Sequence, residues 1–219
     1  MKKTIESIQK QTFTDFEVWI IDGKSSQETQ DYLKELAYPF QFISENDLGI
    51  YDAMNKGISL SKGEWLYFLG AGDCLSNFST LSKIINHLNP NIDFCFGNIS
   101  YGKNIFYSNF SKMMWFKNTL HHQAVFYHKR IFKENKYDLS YKILADYDLN
   151  LKLLQKKVFS KKVDEIFALC DENGLSKIYT LQLYKEELLL KKRKLSLFYY
   201  PILYILFGIK YFFKGVLKI

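Results

Sequence analysis

The chain has 219 residues, of which 47% are hydrophobic and 17% aromatic, and it contains only eleven glycines and three prolines. This composition excludes a disordered, collagen-like or low-complexity chain and predicts one ordinary domain with a sizeable core. The formal net charge of +7 indicates an acidic partner, such as nucleic acid, a nucleotide diphosphate or an anionic lipid surface.

Two features favour a cytoplasmic protein. The three cysteines Cys74, Cys95 and Cys170 form no CxxC pair, and their odd number indicates neither a zinc site nor a disulfide framework. The opening residues MKKTIESIQK lack the apolar segment of a secretory signal peptide. We therefore expect the protein to stay in a reducing compartment.

Strands and helices alternate through the first 97 residues. Apolar runs and turn residues predict helix 4–11, strand 16–21, helix 27–37, strand 40–44, helix 50–61, strand 65–69, helix 81–88 and strand 93–97. Such alternation predicts an α/β fold with a Rossmann-like, mostly parallel sheet flanked by helices. Ligands of these sheets bind beyond the carboxyl ends of the strands, where Asp22 and Asp73 fall.

The second half has less regular periodicity. It predicts a hairpin at 101–107, a strand at 123–127 and an amphipathic helix over 145–156. Because no linker separates the halves, one domain is predicted through about residue 175. Residues 176–219 are predicted to form a separate helical tail.

The tail combines positive charge with apolar surface. Residues 185–194 are strongly basic, and residues 195–209 carry no charge. This run is shorter than the roughly 20 apolar residues that a spanning helix needs, and Pro201 interrupts it. The pattern favours peripheral association with the anionic inner face of the cell membrane. The alternative is a hydrophobic helix that docks on the domain.

No nucleic-acid-binding module accompanies the charge, so no nucleic acid partner is expected.

Four segments share an order and spacing that resemble a known family. They are FTDFEVWIIDGKSS, ENDLGIYDAMNKGISLSKGEWLYFLGAGD, HHQAVFYHKRIF and YKILADYDLNLKL. Together they resemble the family 2 glycosyltransferases of the GT-A fold, especially the bacterial enzymes that build capsule, O-antigen and exopolysaccharide. The resemblance covers roughly residues 4–170. It implies inverting transfer of a sugar from a nucleotide-diphosphate donor, usually a UDP-sugar, to a glycan or polyprenyl-linked acceptor.

The resemblance also implies a donor site. Asp22 with Gly23 stands where the family binds the nucleotide base, although an Asp-Gly pair after a strand is often only a turn. The segment 70–73, Gly-Ala-Gly-Asp, takes the place of the family's D-x-D motif, so that Gly72 and Asp73 would contact the donor. Asp73 would be the one remaining ligand for Mg²⁺ or Mn²⁺. Asp52 matches an acidic position facing the donor.

Asp146 is the predicted catalytic base. Inverting transfer needs a group that takes the proton of the acceptor hydroxyl, and the pair Ala145-Asp146 stands where family members place that carboxylate. An N-cap is the alternative for Asp146. Asp148 is expected to cap the helix or to face solvent. His122 and Gln123 match a His-Gln element near the donor phosphates or the acceptor, with a core histidine as the alternative.

The resemblance departs from the family at the amino end. Family members open with a strand and a loop that have no counterpart before residue 4, so a central strand of the sheet is expected to be absent. Its absence would leave backbone groups unpaired and open a cleft. We therefore carry two alternatives to an enzyme: a decayed transferase that only binds nucleotide, and a membrane assembly protein.

Overall fold

The structure is a computed structural model that describes residues 1–171, 180–194 and 200–213. Its helices are α1 (Lys2–Gln9), α2 (Gln27–Lys34), α3 (Ile50–Leu60), α4 (Thr80–Ile85), α5 (Ala145–Lys156), α6 (Leu181–Lys194) and α7 (Tyr200–Tyr211). Its strands are β1 (Val18–Asp22), β2 (Phe40–Ser44), β3 (Trp65–Tyr67), β4 (Cys74–Leu75), β5 (Phe94–Tyr101), β6 (Asn104–Phe106), β7 (Val125–His128) and β8 (Ser160–Cys170). Short 3₁₀ turns cover Lys112–Trp115, His122–Ala124 and Lys129–Lys133.

The predicted elements form at or near their predicted positions. The bounds of β2 and α5 agree with the prediction, and β5 with β6 forms the expected hairpin. Strand β8 was not predicted. Its sequence mixes lysines with apolar residues because one face is exposed, and this pattern hides a strand.

The predicted α/β fold with helices flanking the sheets is confirmed, but the larger sheet is mixed and mostly antiparallel, not mostly parallel as predicted. Strands β1 and β2 form a two-stranded parallel sheet. The second sheet has the order β3-β7-β5-β8-β4, with β6 paired to β5, and in it only β5 and β8 run parallel. Strand β7 lies antiparallel between β3 and β5. Apolar runs reveal that a strand is buried but not its direction, which long-range packing decides.

A groove of about 870 Å³ separates the two sheets. Trp19 and Ile21 of β1 line one side, and Leu66 of β3 lines the other. The N–H of Val18 donates to the Pro39 carbonyl of the segment leading into β2. Because strand backbones alternate, the main-chain groups of Trp19 and Ile21 point away from β2, toward the groove. The absence of a central strand of the sheet stays a prediction.

Helix α6 lies in the segment predicted to be a separate tail and packs on the domain. The boundary at residue 175 stays a prediction. Leu183 and Leu190 are buried in the largest hydrophobic cluster, together with α5 residues such as Leu149. The Nζ atom of Lys191 lies 2.7 Å from the Tyr147 hydroxyl, and burial lowers the pKa of Lys191 to about 8. The sequence does not predict this packing, because the basic residues of α6 suggest a solvent-exposed helix.

Helix α7 contacts α6 through one side. Lys210 forms an ion pair with Glu187 at 2.5 Å, and the rings of Tyr184 and Tyr211 lie 5.1 Å apart. Over the ranges that the structure describes, no helix has both the length and the apolar character needed to cross a bilayer. Part of the predicted apolar segment, residues 195–199, lies outside the described residues.

Candidate active site

Asp22 ends β1 as a buried carboxylate. Its Oδ2 accepts a hydrogen bond from the Ser44 hydroxyl at 2.6 Å, and the Ser25 N–H lies 3.2 Å from the same oxygen. Burial raises the pKa of Asp22, but the hydrogen bonds from Ser44 and Ser25 outweigh it and hold the pKa below its usual value. The carboxylate is therefore ionised at neutral pH and available as an acceptor.

Gly23 lets a second acidic side chain approach this turn. A Cβ at Gly23 would lie 2.6 Å from Oδ2 of Asp47, so a larger residue would displace that side chain. Oδ1 of Asp47 accepts from the N–H of Gly49, which precedes α3. Asp47 also lines the groove. The predicted base-binding turn thus lies against the loop before α3.

Asp73 lies in a tight turn after β3. Its Oδ2 accepts from the side-chain amide of Gln123, and its Oδ1 accepts from the N–H of Asp171 at 2.7 Å. A Cβ at Gly70 would lie 2.6 Å from Oδ2 of Asp73, so only glycine allows this folded-back carboxylate. Gly72 has a φ of +111°, a conformation that glycine adopts without strain.

The predicted divalent ion fits Asp73 only with help from other ligands. Among the described residues, no group of three His, Cys, Asp or Glu side chains could hold an ion by itself. Each oxygen of Asp73 accepts one N–H and so retains a second lone pair. Mg²⁺ commonly uses one or two carboxylates and completes its shell with phosphate and water. Asp73 thus suits an ion whose coordination a bound diphosphate completes.

Two consecutive side chains connect Asp73 to Asp146. Gln123, which is buried, contacts Asp73, while Nδ1 of His122 lies 3.4 Å from Oδ2 of Asp146. The 3₁₀ turn His122–Ala124 directs these neighbouring side chains to different carboxylates. His122 also lines the groove. The structure therefore brings four of the predicted site residues into one chain of contacts, which the spacing in sequence could not reveal.

Asp146 lies in the first turn of α5 and is only 6% exposed. Oδ1 accepts from the Tyr147 N–H at 2.7 Å, and the Tyr51 hydroxyl lies 3.2 Å from the same oxygen. Burial raises the pKa of Asp146, but the hydrogen bond and charge of His122, the charge of His121 and the Tyr147 N–H outweigh it and lower the pKa. Asp146 is thus held ionised.

The alternative role of Asp146 as an N-cap is not seen. Leu144 occupies the N-cap position of α5, and no side chain in that position makes a capping hydrogen bond. The prediction that Asp148 caps the helix or faces solvent is wrong. Asp148 is buried and forms ion pairs with Lys152 at 2.6 Å and Lys194 at 3.2 Å. Its role is to join α5 to α6.

The polar residues of α3 make mostly structural contacts. Asp52 accepts from the Leu48 N–H at 3.0 Å and lies 3.4 Å from Lys56, and it is not among the residues that line the groove. Asn55 exchanges hydrogen bonds with the backbone of Tyr137. A role for Asp52 at the donor therefore stays a prediction, whereas its local contacts stabilise the start of α3.

Two residues near Asp146, Tyr51 and Glu186, are not among the predicted site residues. Tyr51 directs its hydroxyl to the Ile143 carbonyl at 2.6 Å, beside Asp146. Its position next to Asp52 in the quoted motif was the available signal. Glu186 contacts the backbone that leads into α5, and nothing in its basic surroundings distinguished it from a solvated glutamate.

Comparison with solved structures identifies the fold. The protein superimposes on S. aureus TarS in complex with UDP-GlcNAc with a TM-score of 0.70 and 16% identity, covering 96% of this chain and 68% of TarS. The mannosyltransferase PcManGT from Pyrobaculum calidifontis, in complex with GDP-Man and Mn²⁺, gives a TM-score of 0.66 and 12% identity, covering 92% of this chain and 63% of that one. The fold is therefore GT-A.

Comparison of sequences identifies the family. A PGL/p-HBAD biosynthesis glycosyltransferase of Mycobacterium bovis is 35% identical over an alignment of 161 residues, which covers 68% of this chain and 62% of that protein. An uncharacterized glycosyltransferase of Haemophilus influenzae is 34% identical over 95 residues, 42% of this chain and 32% of its own length. This chain thus spans less than two thirds of these relatives. The model of glycosyl transferase family 2 matches residues 1–161, and the protein belongs to that family.

Proposed function

We propose that the protein is an inverting glycosyltransferase that moves a sugar from a nucleotide-diphosphate sugar, a UDP-sugar, to a glycan or polyprenyl-linked acceptor in surface polysaccharide biosynthesis. The observation that carries this proposal is the contact chain from the ionised Asp146 through His122 and Gln123 to Asp73. Structural neighbours that bind UDP, UDP-GlcNAc and GDP-Man support a nucleotide-sugar donor.

In the proposed reaction, Asp146 takes the proton of the acceptor hydroxyl while the hydroxyl oxygen attacks the anomeric carbon. The bond from that carbon to the diphosphate oxygen breaks, and the nucleotide diphosphate leaves with the electron pair. The His122 and Tyr51 side chains hold Asp146 in place for this transfer. Attack on the face opposite the leaving group inverts the anomeric centre. A retaining path would need a second carboxylate as nucleophile, and among the residues that the structure describes we assign that role to none, so we do not propose retention.

Asp73 would hold the divalent ion together with the donor diphosphate. When bound, Mg²⁺ or Mn²⁺ would neutralise the charge that develops on the departing diphosphate. Gln123 and the Asp171 N–H fix the direction of the Asp73 carboxylate, and Gly70 gives it room. Gly72 lets the turn approach the donor. We expect weak metal binding without donor, since one carboxylate supplies few ligands.

Calorimetric titration with UDP, UDP-GlcNAc and GDP-Man, followed by an assay of nucleotide release, tests the donor class. We expect binding of at least one of these nucleotides, and release of the nucleotide from the sugar donor that binds. If none binds and no sugar nucleotide is turned over, the proposal is wrong. Binding without release would instead favour a transferase that has lost its activity.

The substitution Asp22→Asn tests the donor contact proposed for β1. Because the carboxylate would accept the N–H of the base, the loss of its charge should weaken donor binding by about tenfold to a hundredfold. Calorimetry measures the change. Asp31→Asn is the matched control, since Asp31 is an exposed carboxylate on α2 paired with Lys34, and it should leave affinity unaltered. Equal affinity in the wild type and Asp22→Asn would remove Asp22 from the donor site.

We also propose that α7 associates with the anionic inner face of the cell membrane, in the cytoplasm. Ile205 and Ile209 of α7 and Phe212 directly after it recur at helical spacing, and each is about half exposed or more, at 63%, 51% and 51%. The basic end of α6 includes Lys192, and Arg193 beside it pairs with Asp138. An exposed apolar stripe near positive charge suits an anionic bilayer surface.

Replacing both Ile205 and Ile209 by serine should reduce sedimentation with phosphatidylglycerol vesicles by about tenfold or more, because burial of each isoleucine contributes about 1.5–3 kcal/mol. Ile105→Ser is the control, since Ile105 is exposed on β6, which pairs with β5. Unchanged vesicle binding of the double variant would rule out α7 as the membrane contact. Equal binding of the wild type to neutral vesicles would rule out a contribution of the positive charge.

A further inference from the structure

Helix α5 begins without a capping side chain of its own. Its N-cap residue is Leu144, which has no acceptor in its side chain. The N–H groups at a helix start have no partner within the helix, and a missing cap costs about 0.5–2 kcal/mol. The N–H of Leu144, the first of these groups, therefore needs an acceptor from elsewhere in the protein.

Glu186 of α6 supplies that acceptor from a distant part of the chain. Its Oε1 accepts from the N–H of Lys142 at 2.9 Å. Its Oε2 accepts from the N–H groups of Ile143 at 2.8 Å and Leu144 at 3.0 Å. One side chain thus binds three consecutive backbone amides. These hydrogen bonds fix the backbone of residues 142–144, which apolar packing between helices would not do.

The environment of Glu186 makes these bonds strong. The residue is only 4% exposed, and the amide of Gln182 donates a further hydrogen bond to Oε1 at 2.7 Å. Hydrogen bonds to a charged acceptor contribute about 1.5–3 kcal/mol, more than those between neutral groups. The loss of the carboxylate would leave buried N–H groups without an acceptor. The segment 142–144 would then shift to find other partners.

Ile143 is held from both sides, and this connects Glu186 to Asp146. Glu186 binds the N–H of Ile143, while the Tyr51 hydroxyl lies 2.6 Å from its carbonyl oxygen and 3.2 Å from Oδ1 of Asp146. Movement of the segment would therefore displace both Tyr51 and the start of α5. A displacement of about 1 Å at a reacting group can lower turnover on the order of a hundredfold.

We infer that Glu186 is a positioning residue that sets the direction of Asp146 by holding the backbone that leads into α5. This inference rests on the proposed role of Asp146 as the base. Through this one residue, α6 would help to position the base, although α6 lies outside the quoted sequence motifs. Glu186 acts through Asp146 and does not itself touch the donor or the acceptor.

The test compares Glu186→Ala and Glu186→Gln with Glu187→Gln. Glu187 is the next residue of α6 and is similarly buried, at 8% exposed, but its carboxylate pairs with Lys210 and not with the segment 142–144. Glutamine in place of Glu186 keeps the shape of the side chain, but its NH₂ group would face a backbone N–H. Glu186→Gln should therefore change amide exchange and kcat less than Glu186→Ala does, and it should stay folded even if the alanine variant does not.

Two readouts distinguish failure of this inference from failure of the proposed function. Hydrogen exchange of the amides of Lys142, Ile143 and Leu144 needs no activity, and Glu186→Ala should accelerate it by about tenfold or more while Glu187→Gln leaves it unchanged. The transfer assay should show kcat lowered by about tenfold to a hundredfold, with KM for the donor within about twofold. Glutamine should restore part of the rate.

Unaltered exchange at the three amides in the Glu186 variants would overturn the inference, whether or not the wild type transfers sugar. So would accelerated exchange with kcat unchanged in an active enzyme. Equal loss of kcat in Glu187→Gln would reduce Glu186 to a general contributor to stability. An inactive wild type with altered exchange only in the Glu186 variants would support the positioning contact and reject the proposed function.

Discussion

Asp146→Asn is expected to lower sugar transfer by about two to four orders of magnitude, because the amide cannot take the proton of the acceptor hydroxyl. The substitution keeps the size of the side chain, and the amide oxygen can still accept from the Tyr147 N–H. Donor affinity should hardly change, since the base acts mainly in the transition state. Nucleotide-sugar binding and transfer measured side by side check both statements.

Asp148→Asn is the matched control for this variant. Asp148 lies on the same helix and is buried to a similar degree, but it pairs with Lys152 and Lys194. Its substitution should lower the melting temperature without selective loss of transfer. If Asp146→Asn retained transfer, Asp146 would have only a structural role. If it lost donor binding instead, Asp146 would belong to the donor pocket.

The pH dependence follows from the direction of the pKa shift. Because the folded-state pKa of Asp146 is lowered, the carboxylate stays ionised as pH falls through the usual range of aspartate. Transfer limited by this base should persist over that range and decline only at lower pH. The stability that the ionised form contributes is present above the unfolded pKa and is lost as pH falls through the folded pKa. Rate and unfolding profiles between pH 3 and pH 7 measure both.

Asp73→Asn is expected to lower donor turnover by about a hundredfold or more, since its carboxylate would anchor the ion that stabilises the leaving diphosphate. The fold should survive, because an asparagine oxygen can still accept one of the two N–H groups that Asp73 binds. Turnover measured against Mg²⁺ and Mn²⁺ concentration tests this role.

The metal titration provides the control for Asp73. In the wild type, the apparent metal affinity should rise when the nucleotide is present, because the diphosphate completes the coordination shell. In Asp73→Asn this gain should shrink. Turnover and metal dependence equal to those of the wild type would make Asp73 only a turn residue, held by Gln123 and the Asp171 N–H.

Sequence alone predicted the elements whose signal is local. Apolar runs that stop sharply before glycine-containing turns place Asp22 at the end of one strand and Asp73 after another, and periodicity predicts helix α5. The direction of β7 was not predictable in this way. It depends on which strands β7 meets, and that is decided by packing between residues far apart in the chain.

The contacts that organise the site were also hidden from the sequence. Glu186 lies more than forty residues from the amides that it binds, within a segment whose charge suggested a membrane tail. The contact of Gln123 with Asp73 likewise depends on the close approach that Gly70 allows. Residue type indicated the chemistry, but only tertiary structure could bring these partners together.

The release of nucleotide from a panel of UDP-, GDP- and dTDP-sugars, measured with Mg²⁺ or Mn²⁺ and a glycan or polyprenyl-linked acceptor, most directly tests nucleotide-sugar transfer. We predict release with at least one donor, an inverted anomeric configuration in the product, and strong loss of release in both Asp146→Asn and Asp73→Asn. Tight nucleotide binding without release from any donor would contradict this prediction and would identify a nucleotide-binding protein instead of an enzyme.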